Sequence, residues 1–192
     1  MENPLAQQPS DSIKIVLFGP ESTGKTTLSG QLAQHYNTSW VREYAREYLQ
    51  EKWDKTKLIC ELSDILPIAR GQMFLENKYA KCANRVLICD TDLLETQVYS
   101  EAYYGTCPAE LEAAAKTNIY ELYLLTYIDV TWTPDDLRDR PNRRLEMFQH
   151  FEGALKKLNK PYVLLKGGQT QRLKRAIFEI DKLLNKYRLN AL

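Results

Sequence analysis

The sequence predicts an α/β fold built on a five-stranded parallel sheet. Short apolar runs at 13–18, 38–42, 85–89, 121–128 and 161–166 are continuous rather than alternating, as in strands buried on both faces. Helical patterns separate these runs, and strands that alternate with helices return to a parallel sheet by right-handed crossovers. The 192 residues are 44% hydrophobic, enough for one domain with a sizeable core and too apolar for disorder.

Residues 1–11 are polar and read as a disordered tail; they lack the basic stretch and apolar core of a secretory leader. Residues 12–192 form a single domain, with no internal repeat and no Gly/Ser linker. The first strand is Ile13-Lys14-Ile15-Val16-Leu17-Phe18. A helix over 25–36 follows, with Leu28, Leu32 and Ala33 at helical spacing. Residues 60–83 form a long helical region expected to kink or break near Pro67. Pro108 suits a helix start before LEAAAK, and 142–158 and 170–188 form two further helices. The expected strand order is 2-3-1-4-5 in a three-layer sandwich.

Lys plus Arg is 26 and Asp plus Glu is 25, a net charge of +1. That balance gives no general attraction to nucleic acid or an anionic membrane, and no apolar run is long enough to span a bilayer. The four cysteines form no C-x-x-C pair and read as reduced thiols of a cytoplasmic protein. His35 and His150 fall on helix surfaces. The basic helix 170–188 also carries Glu179 and Asp181, a solvated face rather than an RNA patch.

GPESTGKTT, residues 19–27, fits G-x-x-x-x-G-K-[ST] between a buried strand and a helix. Glycines let backbone N–H groups wrap phosphate oxygens, and the helix adds its positive dipole end. Lys25 suits the β/γ-phosphates and Thr26 a Mg²⁺ ion. Gly19, Glu21, Ser22, Thr23, Gly24, Lys25, Thr26 and Thr27 are therefore the expected ATP-binding residues of a P-loop.

Ligands of an open parallel sheet lie beyond the carboxyl ends of its strands. Strand two runs into Arg42-Glu43-Tyr44-Ala45-Arg46, strand three into Asp90-Thr91-Asp92, and strand four into WTPDDLRDRPNRR. Asp90 holds the Walker-B position, with Thr26 a candidate metal ligand. Asp92 is a candidate for a substrate hydroxyl or its proton. Thr91 or Asp92 equally suits a helix N-cap. Glu43 is a candidate general base or a surface partner of Arg42 or Arg46. Arg138, Arg140, Arg143 and Arg144 crowd into seven residues, suiting a phosphate-gripping lid near 133–145, or a charged turn paired with Asp135, Asp136 and Asp139. Arg140 and Arg144 are the catalytic candidates, and Arg138 a nucleotide contact. Trp40, Tyr79 and Trp132 are candidates for ring stacking or for plain packing.

Nucleotide users differ in what surrounds the loop. No Asn-Lys-x-Asp marks a guanine site, and Asp90 is followed by Thr91 rather than the glutamate of a motor or AAA-type hydrolase. A second carboxylate after strand two and an Arg-rich segment after strand four fit a small-molecule kinase. GPESTGKTTL, W-V-x-E-Y-A-R-x-Y-L, Gly71-Gln72 with Glu76, CDTDLL, Tyr99-Ser100-Glu101, YELYLLTYID, PDDLRDRPNRR and PYVLLKG then resemble the ribosylnicotinamide kinase domain of bacterial NadR-type proteins, over about 13–183. The resemblance implies a P-loop kinase that uses ATP and Mg²⁺ to phosphorylate the 5′-hydroxyl of nicotinamide riboside, giving nicotinamide mononucleotide for NAD biosynthesis. It implies magnesium, base and ribose roles shared among Glu43, Asp90 and Asp92, and a nicotinamide platform at Trp40; Tyr79 stays a substrate-site candidate by its ring alone. Arg42 stands where many relatives carry proline. His35 and His150 lie far apart and the chain has no spare length, so neither the His-x-x-His or His-x-Gly-His adenylyltransferase activity nor the DNA-binding helix-turn-helix of larger relatives is expected. A nucleotide sensor without turnover, or a kinase of another nucleoside, is the alternative.

Overall fold

The computed structural model describes residues 3–137 and 141–190. Five strands, β1 (Ile13–Phe18), β2 (Trp40–Val41), β3 (Val86–Asp90), β4 (Leu122–Thr126) and β5 (Tyr162–Leu165), pair in parallel in the order β2-β3-β1-β4-β5. This is the predicted order. The register sets Leu17 against Asp90 and Phe18 against Leu125, so β1, β3 and β4 end together.

Continuous apolar strands bury both faces. Ile13, Ile15 and Leu17 join Ile88 and Leu124 on one face, under α1 (Lys25–Tyr36) and α7 (Gln169–Asn190). Val16 and Phe18 join Leu87, Cys89, Tyr123 and Leu125 on the other. That second face packs against α3 (Ile65–Ala80), α4 (Leu93–Tyr104), α5 (Ala109–Thr117) and α6 (Arg144–Lys157). Phe18 sits edge-on to Tyr123 and Phe151, with ring centroids 5.4 and 4.9 Å away, a favourable aromatic arrangement.

Three local expectations need correcting. Helix α2 (Tyr44–Thr56) was not predicted; none of its residues is buried, and its apolar residues Ala45, Leu49 and Trp53 are set among charged ones. Pro67 does not kink a helix, because α3 starts at Ile65 and places the proline in its first turn, where no intrahelical N–H is needed. Residues 3–10 are not a frayed tail. Leu5 is fully buried, Gln7 donates to Glu76 at 2.8 Å, and the Gln8 amide donates to Asn77 at 2.8 Å. Among the described residues no helix is long and apolar enough to cross a membrane.

Candidate active site

The phosphate loop takes its shape from β1 and from β4 beside it. Gly19 has φ 136°, and a Cβ there would meet Thr126 Oγ1 at 2.7 Å and its carbonyl oxygen at 2.9 Å. Only glycine fits so close to the neighbouring strand. Thr23 Oγ1 lies 2.7 Å from the Pro20 carbonyl and 2.7 Å from Thr126 Oγ1, closing the loop on itself. Gly24, at φ 83°, turns the chain into α1, whose first residue is Lys25. Arg172 of α7 supports the loop from behind: it donates to the Thr23 carbonyl at 2.6 Å and the Tyr127 carbonyl at 2.8 Å, and pairs with Asp129.

A cavity of about 520 Å³ opens over this loop. Glu21, Ser22, Thr23, Gly24, Lys25, Thr26 and Thr27 line one part. Glu43, Arg46, Thr91 and Glu95 line it too, and Leu49, Ile59, Ile65, Ile68, Tyr99, Tyr103 and Tyr104 give it an apolar, aromatic wall. A phosphate cradle and an apolar chamber thus share one space, the usual build of a small-molecule site.

The electrostatics centre on one lysine among carboxylates. Lys25 Nζ donates to the carbonyls of Gly19 at 2.6 Å and Pro20 at 3.0 Å, and lies 3.1 Å from Glu95 Oε1. Burial works against its charge, but Glu95, Glu43 and Asp90 outweigh burial and hold the ammonium above the ordinary lysine range. Burial, then the Glu43 charge, push the Asp90 carboxyl up to about 7, against the pull of the Thr26 hydroxyl and Lys25. Burial pushes the Glu95 carboxyl up, while the Lys25 ammonium 3.1 Å away pulls it down; the same contact raises Lys25 and holds the two as an ion pair.

Asp90 also answers whether a divalent cation fits. Its carboxylate oxygens are buried, and the Thr26 hydroxyl approaches them without completing an ordinary hydrogen bond, so they stay short of donors among the described residues. A hard cation completes such oxygens, and Mg²⁺ takes one or two carboxylates with the rest of its shell from phosphate and water. Among the described residues no three His, Cys, Asp or Glu groups converge as a metal cage.

Several expected site residues lie elsewhere. Asp92 caps α4, accepting from the Glu95 amide at 3.0 Å and the Tyr123 hydroxyl at 2.7 Å, and it is absent from the cavity wall. In this structure it serves as the N-cap of α4. Trp40 points from β2 onto α1, where a Cβ on Gly30 would sit 3.2 Å from its ring, so strand alternation turns it to the opposite face of the sheet. Tyr79 packs near the end of α3 against the core, with Lys78 Nζ 5.6 Å from its ring centroid, and does not reach the cavity. Arg138 and Arg140 lie outside the described residues. Arg144 donates to the Val130 carbonyl at 2.9 Å and the Ser22 carbonyl at 3.3 Å, tying the segment after β4 to the loop rather than lining the cavity.

Other contributors were missed. Glu95, Tyr99 and Tyr103 recur every four residues along α4, a single-face signal present in the sequence. Arg46 reaches Asp135 at 3.1 and 2.7 Å and bridges α2 to the segment after β4. Gln72, in the Gly71-Gln72 motif, accepts from the first amide of α2, that of Tyr44, at 2.8 Å.

Residues 14–172 match the family described as AAA domain. Over 124 residues, 65% of this chain, the sequence is 31% identical to the trifunctional NAD biosynthesis/regulator protein NadR of Escherichia coli (strain K12), and equally to that of Salmonella typhimurium. The match spans 30% of the length of those relatives. A crystal structure of NadR protein in complex with NR superimposes with a TM-score of 0.75 at 24% identity, covering 90% of this chain and 51% of that one. NadR protein in complex with NAD and AMP-PNP gives 0.73 at 24% identity, covering 90% and 49%. Thymidylate kinase from Ehrlichia chaffeensis gives 0.64 at 17% identity, covering 92% and 100%. These likenesses establish the fold, and the sequence match establishes homology to part of NadR.

Proposed function

The chain belongs to the AAA domain family, and from that premise we propose that it is an ATP- and Mg²⁺-dependent kinase acting on the 5′-hydroxyl of nicotinamide riboside. The observation that carries this is the shared cavity. The phosphate loop and an aromatic chamber face one another across a space that also contains Glu43. A hydrolase needs a carboxylate on a water, and β3 ends in Asp90-Thr91, without an adjacent glutamate.

The loop residues and the start of α1 would hold the triphosphate, Lys25 gripping its β/γ end. Mg²⁺ would sit on Asp90 and Thr26 and neutralise phosphate charge there. Glu43, at the N-cap of α2, faces the same space and accepts the proton of the acceptor hydroxyl. The hydroxyl oxygen bonds to the γ-phosphorus, the bond to the β-bridging oxygen breaks, and ADP leaves. Tyr99, Tyr103 and Tyr104 supply flat faces for a cationic pyridinium ring, the part once expected of Trp40.

The test is to incubate the protein with Mg-ATP and a panel of nucleosides and read products by mass. Nicotinamide mononucleotide as the phosphorylated product is the expected result, and Lys25→Ala should abolish it while the protein stays folded. Phosphorylation of an ordinary nucleoside moves the specificity elsewhere. ATP binding with no phosphorylated product makes the protein a nucleotide switch.

A further inference from the structure

An ammonium carries three protons, and three oxygens surround that of Lys25. Two are carbonyls of its own loop, Gly19 and Pro20, at 2.6 and 3.0 Å. The third is Glu95 Oε1 of α4, an ion-pair contact at 3.1 Å rather than a well-aligned hydrogen bond, and the two side chains are only 7% and 3% exposed. The other oxygen of the same carboxylate, Oε2, accepts from the Gly19 amide at a long 3.4 Å. One carboxylate therefore engages both the loop's cation and one of its amides, the two kinds of group with which such loops grip phosphate.

Resting on the triphosphate reading of this cavity, we propose that Glu95 is a positioning residue that holds Lys25 as an internal stand-in for phosphate and releases it when a β/γ-phosphate arrives. A phosphorylated ligand must compete with a tethered anion already in place, so it binds more weakly than the loop alone allows. The carboxylate remains in the cavity wall after displacement and repels the incoming anion at short range through a poorly screened interior. The acceptor wall is coupled to the same event, because Tyr99 follows Glu95 by one turn of α4 and lines the same cavity.

Calorimetry of Mg-ATP, Mg-ADP and adenosine on the wild type and on Glu95→Gln separates this from a merely structural ion pair. Glutamine keeps the volume and removes the charge. Mg-ATP should bind the variant about tenfold more tightly, and KM for ATP should fall without a matching rise in kcat. Adenosine, which carries no phosphate, should bind both proteins alike. Unchanged or weaker Mg-ATP binding, or an equal shift for adenosine, overturns the proposal. If Glu95→Gln fails to fold, Glu95→Asp, one methylene shorter, should still tighten Mg-ATP by about threefold, and no change there overturns it as well. Failure of the triphosphate reading is a separate result: the wild type itself would then show no preference for the phosphorylated ligands.

Discussion

Asp92 is 1% exposed, accepts two hydrogen bonds and stands two residues beyond Asp90. Burial pushes its carboxyl up to about 6, against the Tyr123 hydroxyl and the Glu95 amide. The folded state then holds this proton more tightly than the unfolded chain does. The contribution is fully present below the ordinary aspartate pKa of about 4 and is lost as pH rises to about 6, on the order of 3 kcal/mol. Asp92→Asn keeps a capping oxygen and should flatten that fall; thermal melts from pH 4 to 6 check it, and an unchanged slope contradicts it. In the sequence Asp90 and Asp92 look alike, since both follow an apolar run. Only the helix start, which puts Asp92 at the N-cap of α4 and Asp90 at the end of β3, tells them apart. Trp40 was misjudged for a related reason: two residues of β2 fix which face it takes, and nothing local to the motif reveals it.

At the scale of elements, the sheet was legible because its strands are unbroken apolar runs and each returns to a parallel partner. Helix α2 was not, because its few apolar side chains are widely spaced among charged ones and none is buried, so it leans on α3 for its place. Two residues of α3 set that contact. Gln72 accepts from the Tyr44 amide, and at Gly71 an added Cβ would fall 2.0 Å from the Tyr44 ring. Gly71→Ala must therefore push α2 away from α3, at a cost of about 1–3 kcal/mol. Chemical denaturation should show that loss. Because α2 carries Glu43 at its cap and Arg46 in the cavity wall, kcat should fall along with stability. Full activity in a destabilised variant would show that α2 tolerates the shift.

Across the whole molecule, the cavity is closed by contacts from distant parts of the chain. Arg46 of α2 meets Asp135 after β4, the Thr133 amide donates to Ser22 Oγ at 2.8 Å, and Arg144 of α6 meets the Ser22 carbonyl. The Arg46–Asp135 pair is partly exposed, with side chains 43% and 22% accessible, so a double-mutant cycle should give a stability coupling of no more than about 1 kcal/mol. Its larger effect should be on closure. Arg46→Ala should raise KM for both substrates and weaken the salt dependence of KM, as steady-state kinetics across ionic strength would show. An unaltered KM would mean that the bridge plays no part in closing the site. The sequence hinted at this clasp through its crowded arginines and aspartates, but partners 89 residues apart cannot be paired without the fold.

Arg172 grips the carbonyl of Thr23 from the start of the last helix, and with it Tyr127 and Asp129 at the end of β4. On a ribosome, the loop emerges well before this arginine, which lies 149 residues further along. A nascent chain that has formed β1 still lacks the donor that props its phosphate cradle, so the support of the loop is completed only once α7 has been made.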